Sequence, residues 1–208
     1  KTLFTNEIQN AIQLTVNGEL SSNMIQEGFK ATMIFDENND KKNKITRQTK
    51  AGIIFPPSIC ERFLRQFGIS NLMISKSSPI FLAAITEYLC AEILQLSLNY
   101  TFENKRKRIT ILDISKCIDT DRELKHLFSS LNVTLLTCTN MYSINMYSIN
   151  NMINNTNVSN YNKPTLSKQV VERMIRNTIK KYNPTLKLNK SIIITVQYFI
   201  EQFILQLL

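Results

Sequence analysis

Four consecutive cations, Lys105, Arg106, Lys107 and Arg108, follow directly on a stretch from Phe81 that is apolar on several faces. Positive charge at that density neutralises successive phosphates, and at the end of a buried helix it points to DNA. Two more stretches share the bias. Residues 41–50 hold five cations ending at Lys50 and residues 163–190 hold eight, so with the four at 105–108 they make 17 of the 25 in the chain. In the last stretch Arg173, Arg176, Lys180 and Lys181 recur at helical spacing, and Lys187 and Lys190 lie beyond them. A solvated helix face is the plainer account of those four, as a solvated loop is of the first run. A net charge of +9 and a sequence pI near 9.4 favour a polyanionic partner.

Other chemistries find little material. There is no Gly-x-Gly-x-x-Gly, no phosphate loop and no His-Glu-x-x-His, and only four glycines occur. His126, the single histidine, does not by itself complete a triad with a cysteine. Neither catalysis nor a cofactor is expected. Cys60, Cys90, Cys117 and Cys138 show no paired spacing, which suits buried reduced thiols rather than a metal site. No cleavable signal or run of eighteen apolar residues is present, so a soluble, intracellular chain with no membrane partner is expected. The apolar tail Ser191 to Leu208, interrupted by Gln197, Glu201 and Gln202, suits a packed helix.

A long element must position the basic run. Leu82, Ile85, Leu89, Ile93 and Leu96 draw one helical stripe, and Phe81, Ala84, Tyr88, Ala91 and Leu98 draw a second. That pattern predicts a helix from about Pro79 to about Glu103, covered by its own neighbours and by a partner chain. Ser77, Ser78 and Pro79 mark its start. Beyond the cations, Ile109 to Leu112 favours an extended loop, and Thr110 with Asp113 has the spacing of a capping box, so a shorter helix is predicted from Ile111 to Ile118. Upstream, Pro56-Pro57-Ser58 leads into a helix from Ile59 to Phe67, which Gly68 stops. The order is short helix, loop, long helix, loop, short helix. Residues 36–46 read as a charged connector, and residues 137–162 as a low-complexity linker in which Met-Tyr-Ser-Ile-Asn occurs twice.

These residues resemble the histone fold, and specifically histone two-A, over about residues 46–136. The carriers are Lys50-Ala51-Gly52-Ile53-Ile54-Phe55-Pro56, the run Pro79-Ile80-Phe81-Leu82-Ala83-Ala84-Ile85-Thr86-Glu87-Tyr88-Leu89, Ala91-Glu92-Ile93-Leu94, Asn104-Lys105, Arg108-Ile109 and Glu123-Leu124. A second resemblance lies in the flanks. Thr5-Asn6-Glu7-Ile8-Gln9-Asn10-Ala11, Gly18-Glu19-Leu20 and Glu27-Gly28-Phe29-Lys30-Ala31 look like the last two helices of histone two-B. Lys180-Lys181-Tyr182-Asn183-Pro184-Thr185, Leu188-Asn189-Lys190 and the apolar tail look like its first helix, loop and central helix. The domains implied are a two-B back half at 1–40, a two-A fold with a basic lead at 41–136, the linker, and a two-B front half at 163–208. A permuted two-B fold, a piece of a tandem two-B/two-A doublet and a reordered numbering all supply that order.

The resemblance implies sites. Arg108 takes the place of a minor-groove arginine, with Lys105, Arg106 and Lys107 on nearby phosphates. Arg62 and Arg65 come from the first two-A helix, and Lys76 is the one cation of the loop after it, where the family carries an arginine. Lys50, Arg173, Arg176, Lys180, Lys181, Lys187 and Lys190 complete the implied DNA face. Glu87, Glu92, Asp121 and Glu123, with Glu19 and Glu27, match an acidic surface that recruits partners, diluted by Gln95 and Arg122; ordinary solvent-facing acids are the alternative.

The implied whole is an all-α histone doublet, its halves paired as a handshake within one chain or with a neighbouring copy. It is expected to package double-stranded DNA without sequence preference, beside histone three and four partners and a second copy of itself in an octamer-like particle. Doublets that fuse two-B to two-A occur in some large DNA viruses, so nucleus, viral factory and virion are the expected places. A histone-fold scaffold or transcription factor subunit is the alternative, and a mimic that binds chromatin factors through its acids is a third. The segment Leu131 to Thr139 resembles the start of a docking tail.

Overall fold

The computed structural model describes residues 2–39, 45–68, 73–131, 166–182 and 187–208. The linker at 137–162, the docking-tail segment beyond Leu131, and residues 40–44 of the charged connector lie outside them.

The doubly striped stretch forms one largely buried helix, α5 (Ser78–Glu103), with Ile80, Phe81, Ala83, Ile85 and Leu94 all without solvent exposure. Its length and composition would suffice to cross a membrane, yet 67% of its most apolar 18-residue window is buried inside the protein. Polar residues survive there because their hydroxyls turn back on the helix. Thr86, Ser97 and Thr101 each donate at 2.7 Å to the carbonyl four residues earlier. The covering elements belong to the same chain, where the two stripes had suggested a separate partner.

Two sets of elements wrap this strut. The first comprises α3 (Arg47–Lys50), α4 (Pro57–Phe63), a π turn (Leu64–Gly68), β2 (Met73–Ile74), α5, β3 (Arg108–Ile109), α6 (Ile111–Thr120) and α7 (Arg122–Ser130). The second comprises β1 (Thr2–Leu3), α1 (Thr5–Thr15) and α2 (Gly18–Asn39), with α8 (Lys168–Tyr182), β4 (Lys187–Leu188) and α9 (Lys190–Gln206) from the other end of the chain. The strands join the sets in parallel, Thr2 opposite Met73 and Leu3 opposite Ile74, Arg108 opposite Lys187 and Ile109 opposite Leu188. Each set is therefore short helix, strand, long helix, strand, short helix, and the two interlock through their loops: a histone fold in handshake. One hydrophobic core runs through both, with Ile12, Met24, Phe63, Leu94, Ile175 and Phe203 fully or almost fully buried. Phe128 of α7 stacks on Phe199 of α9 with ring centroids 4.3 Å apart.

Several local expectations need correction. Helix α2 runs on to Asn39, through most of the acidic part of the supposed connector, because Phe35 is buried and Asn38 donates at 3.1 Å to the Lys50 carbonyl. The helix at Pro57 ends at Phe63 and continues to Gly68 only as a π turn. Helix α6 outlasts Ile118 by two residues. Short helix α3 carried no apolar period and escaped detection. Its cap is Thr46 Oγ1, which accepts from Thr49 N at 3.2 Å, and it stops at Gly52, whose φ of 68° a side chain would disfavour. Helix α2 lies on α5 where Gly28 lets the backbone approach; a Cβ there would sit 2.5 Å from the Phe81 ring. Phe29 meets the same ring edge-on at 5.1 Å.

Candidate nucleic-acid interface

The basic run is shaped by what holds it. Lys105 takes a φ of 54°, and the amides of Lys105 and Arg106 donate to the carbonyls of Phe102 and Thr101 at 2.8 and 3.0 Å, closing the end of α5. On β3, Ile109 points inward with no exposure and Arg108, one residue earlier, is exposed, as strand alternation requires. Lys105 and Lys107 are exposed as well. Arg106 differs from its three neighbours. Its guanidinium pairs at 2.5 Å with Asp113, whose side chain is wholly buried, and lies 5.8 Å from the centre of the Tyr100 ring. Asp113 also accepts the Thr110 amide and hydroxyl, each at 2.8 Å. The capping spacing read from Thr110 and Asp113 is thus realised as a clamp that fixes the loop and turns Arg108 outward. Asp113 was legible as a cap; nothing in the sequence marked it as the partner of Arg106.

The first helices carry their cations differently. Arg65 and Arg47 both pair with Glu61, at 2.9 and 2.8 Å, and hydrogen bonds from the two guanidiniums hold that carboxyl below its usual range. Arg62 is exposed on α4, and Lys50 ends α3. On α8, Arg176 pairs with Glu172 at 2.6 Å and Arg173 donates to the Ile54 carbonyl at 3.5 Å. Lys180 and Lys181 are exposed in its last turn, where positive charge also suits the helix dipole. Lys187 lies on β4 and Lys190 opens α9. Lys76 is exposed just after β2. Pairing of β3 with β4 therefore brings the backbone of the 105–108 run beside that of residue 187, while Lys180 and Lys181 end the helix that precedes β4. Lys76 follows β2, and Arg65, Arg106 and Arg176 are tied to acids.

The acids divide as well. Glu87 accepts the Ile54 and Phe55 amides at 2.7 and 3.0 Å and so holds the turn before α4. Glu123 accepts the Glu19 and Leu20 amides at 2.8 and 2.7 Å, capping α2 across the two sets. Gly18 makes that possible with a φ of 73°, and a Cβ there would collide with the carboxylate. Asp121 caps α7 through Leu124 N at 2.9 Å, and Glu27 pairs with Lys30 at 3.0 Å. Glu19, Glu92, Asp121 and Glu123 still line one surface depression of about 420 Å³, together with Tyr88 and the cation Arg122. Burial raises the Tyr88 phenol, and Glu92 adds to the shift. Gln95 accepts from the Tyr182 hydroxyl at 2.7 Å.

Among the described residues no group of three or more His, Cys, Asp or Glu is placed to hold a metal. Cys60, Cys90 and Cys117 are buried free thiols. Burial pushes the first two far above the usual thiol range and Cys117 up to about 11.

Residues 37–119 match the model of the core histone domain shared by histones two-A, two-B, three and four. The chain is similar to a probable histone two-A, the fourth so numbered, of Oryza sativa subsp. indica, 37% identical over 93 residues, which are 45% of this chain and 56% of that protein. It is similar to a probable histone two-A, the fifth so numbered, of Arabidopsis thaliana, 34% identical over 94 residues, 45% of this chain and 62% of that one. It is also 38% identical over 88 residues to the second histone two-A of Lodderomyces elongisporus, covering 42% of this chain and 67% of the relative. The chain thus spans a little over half of the rice protein's length. Matched across two thirds of a histone at that identity, and folded as the match requires, the chain belongs to the core histone family.

Proposed function

We propose that the chain is a histone two-B/two-A doublet that packages double-stranded DNA by sequence-independent contact with the phosphate backbone. The observation that carries this is the β3–β4 end, where an exposed Arg108 lies opposite Lys187 in register on a loop locked by the Asp113–Arg106 pair. Backbone and cations there can meet successive phosphates while the arginine enters the minor groove. In this proposal residues 46–136 are the two-A fold, and α8–β4–α9 with β1–α1–α2 are the front and back halves of two-B. One such pair spans too short an arc to wrap DNA alone. The proposal therefore includes histone three and four partners, a second copy of the chain in an octamer-like particle, and residence in chromatin of the nucleus, a viral factory or a virion. The doublet order and a viral source rest on the sequence resemblance.

The test is nuclease digestion of DNA reconstituted with the full chain, with and without a histone three and four pair, across a salt series. A discrete protected length that requires the partner is the expected result. A smear in both cases would refute packaging. It would favour the scaffold alternative, to which the ion pairs Arg65–Glu61 and Arg176–Glu172 lend support, since they reduce the charge offered by the π turn after α4 and by α8.

A further inference from the structure

The two loop pairs are internal equivalents. In each, a strand leads into a short helix whose third residue is an acid that accepts the amide of the residue before the helix. Glu7 takes Phe4 N and Asp113 takes Thr110 N, both at 2.8 Å. In each, that strand pairs in parallel with the strand preceding a long helix, so Thr2 corresponds to Arg108 and Met73 to Lys187. Equivalent backbones should present equivalent surfaces to a duplex curved around the pair, yet the side chains diverge.

Residues 105–110 and 180–190 contain eight cations and no acid. Residues 1–4 and 69–77 contain two, Lys1 and Lys76. Where the basic end has Lys187, the other has Met73, 73% exposed, and Phe4, which follows β1, is 54% exposed. Leu3 is held in place on that side by Ser75 N and the Ser78 hydroxyl, both donating to its carbonyl at 3.0 Å, so the geometry is kept and the charge is not.

We propose that the two ends of this histone pair grip DNA unequally: the β3–β4 end anchors the duplex by neutralising phosphates, and the β1–β2 end lets it pass with Met73 standing where a phosphate-binding cation stands at the other end. This rests on the DNA-packaging proposal and specifies which part of the surface does the holding. Its consequence is a duplex fixed at one side of the protein and easily lifted at the other.

The test is the salt dependence of duplex binding by the full chain, where each neutralised phosphate contributes a slope of about 0.9 in the log–log plot. Met73→Lys should steepen the slope by about 0.9, Lys187→Met should flatten it by about 0.9, and the double swap should restore the parent value. Met73→Leu, which keeps an apolar side chain, serves as the control for fold and should match the parent. Lys76→Ala should cost less than half the slope lost in Lys107→Ala. A Met73→Lys slope equal to the parent's, or equal losses for Lys76→Ala and Lys107→Ala, would overturn the inequality while leaving packaging intact. An unaltered chain that shows no salt-dependent binding would overturn both.

Discussion

Replacing Asp113 with alanine tests whether the clamp on the basic loop is built as described. The carboxylate is wholly buried and makes three contacts, with the Thr110 amide and hydroxyl at 2.8 Å each and the Arg106 guanidinium at 2.5 Å. Hydrogen bonds to a charged group contribute roughly 1.5–3 kcal/mol each. The ion pair adds less than about 1 kcal/mol, because the Arg106 side chain is 41% exposed and can return to water. Against these stands the relief of not burying a carboxylate, which costs several kcal/mol. The net expectation for Asp113→Ala is a loss of about 2–4 kcal/mol, or roughly 5–15 °C in Tm for a chain of this size. Arg106→Ala should cost less than about 1 kcal/mol, since the guanidinium it removes is 41% exposed and its pair with Asp113 adds no more than that. The double variant should lose no more than Asp113→Ala alone, because both single changes break the same pair. Urea unfolding followed by circular dichroism reads all three, provided the m-value stays constant. A loss for Asp113→Ala within about 0.5 kcal/mol of zero, or strict additivity in the double variant, would refute the clamp.

Other outcomes follow from the same geometry. Gly28→Val should destabilise by about 1–3 kcal/mol, since the new side chain meets the buried Phe81 ring; a melt matching the parent's would show that α2 can lift from α5 without cost. Gly18→Ala should cost a similar amount through its left-handed backbone and its collision with Glu123, and Glu123→Ala in the same chain should remove part of that penalty. The Glu61 carboxyl is lowered in the fold, so its contribution to stability is present above its ordinary range near 4.5 and is lost as pH falls through the lowered value. Glu61→Gln should therefore flatten the acid limb of a stability–pH curve, and an unchanged limb would contradict the Arg47–Glu61–Arg65 bridge. Cys60, Cys90 and Cys117 should resist alkylation at neutral pH until the chain unfolds, as peptide mapping by mass would read, with rapid labelling of native Cys60 or Cys90 the contrary result.

Elements whose apolar period matched a full helix were legible in advance. The two stripes of α5 located it within one residue at its start, and the Thr110–Asp113 spacing located the start of α6. The misses have local causes. Helix α3 is four residues long and has no buried residue, so no hydrophobic period could reveal it. The acidic end of α2 looked like connector because its helical state is enforced by Phe35 and Asn38 packing against residues distant in sequence. At the candidate site, exposed cations could be read as cations, but their partners could not. The Glu61 bridge joins residues 14 apart, and the Glu123 cap joins residues more than 100 apart.

Residue order alone determined the fold class, the central strut, the basic run that follows it and the kinship with histones, because each depends on periodicity or on contiguous residue types. Tertiary structure decided which charges remain available. Only folding brings Asp113 beneath Arg106, Glu61 between Arg47 and Arg65, and the two ends of the chain onto one core, where β4 lies beside β3 and β1 beside β2. A charge is committed by what lies within a few ångströms of it, and for these residues that neighbourhood is assembled across the chain rather than along it.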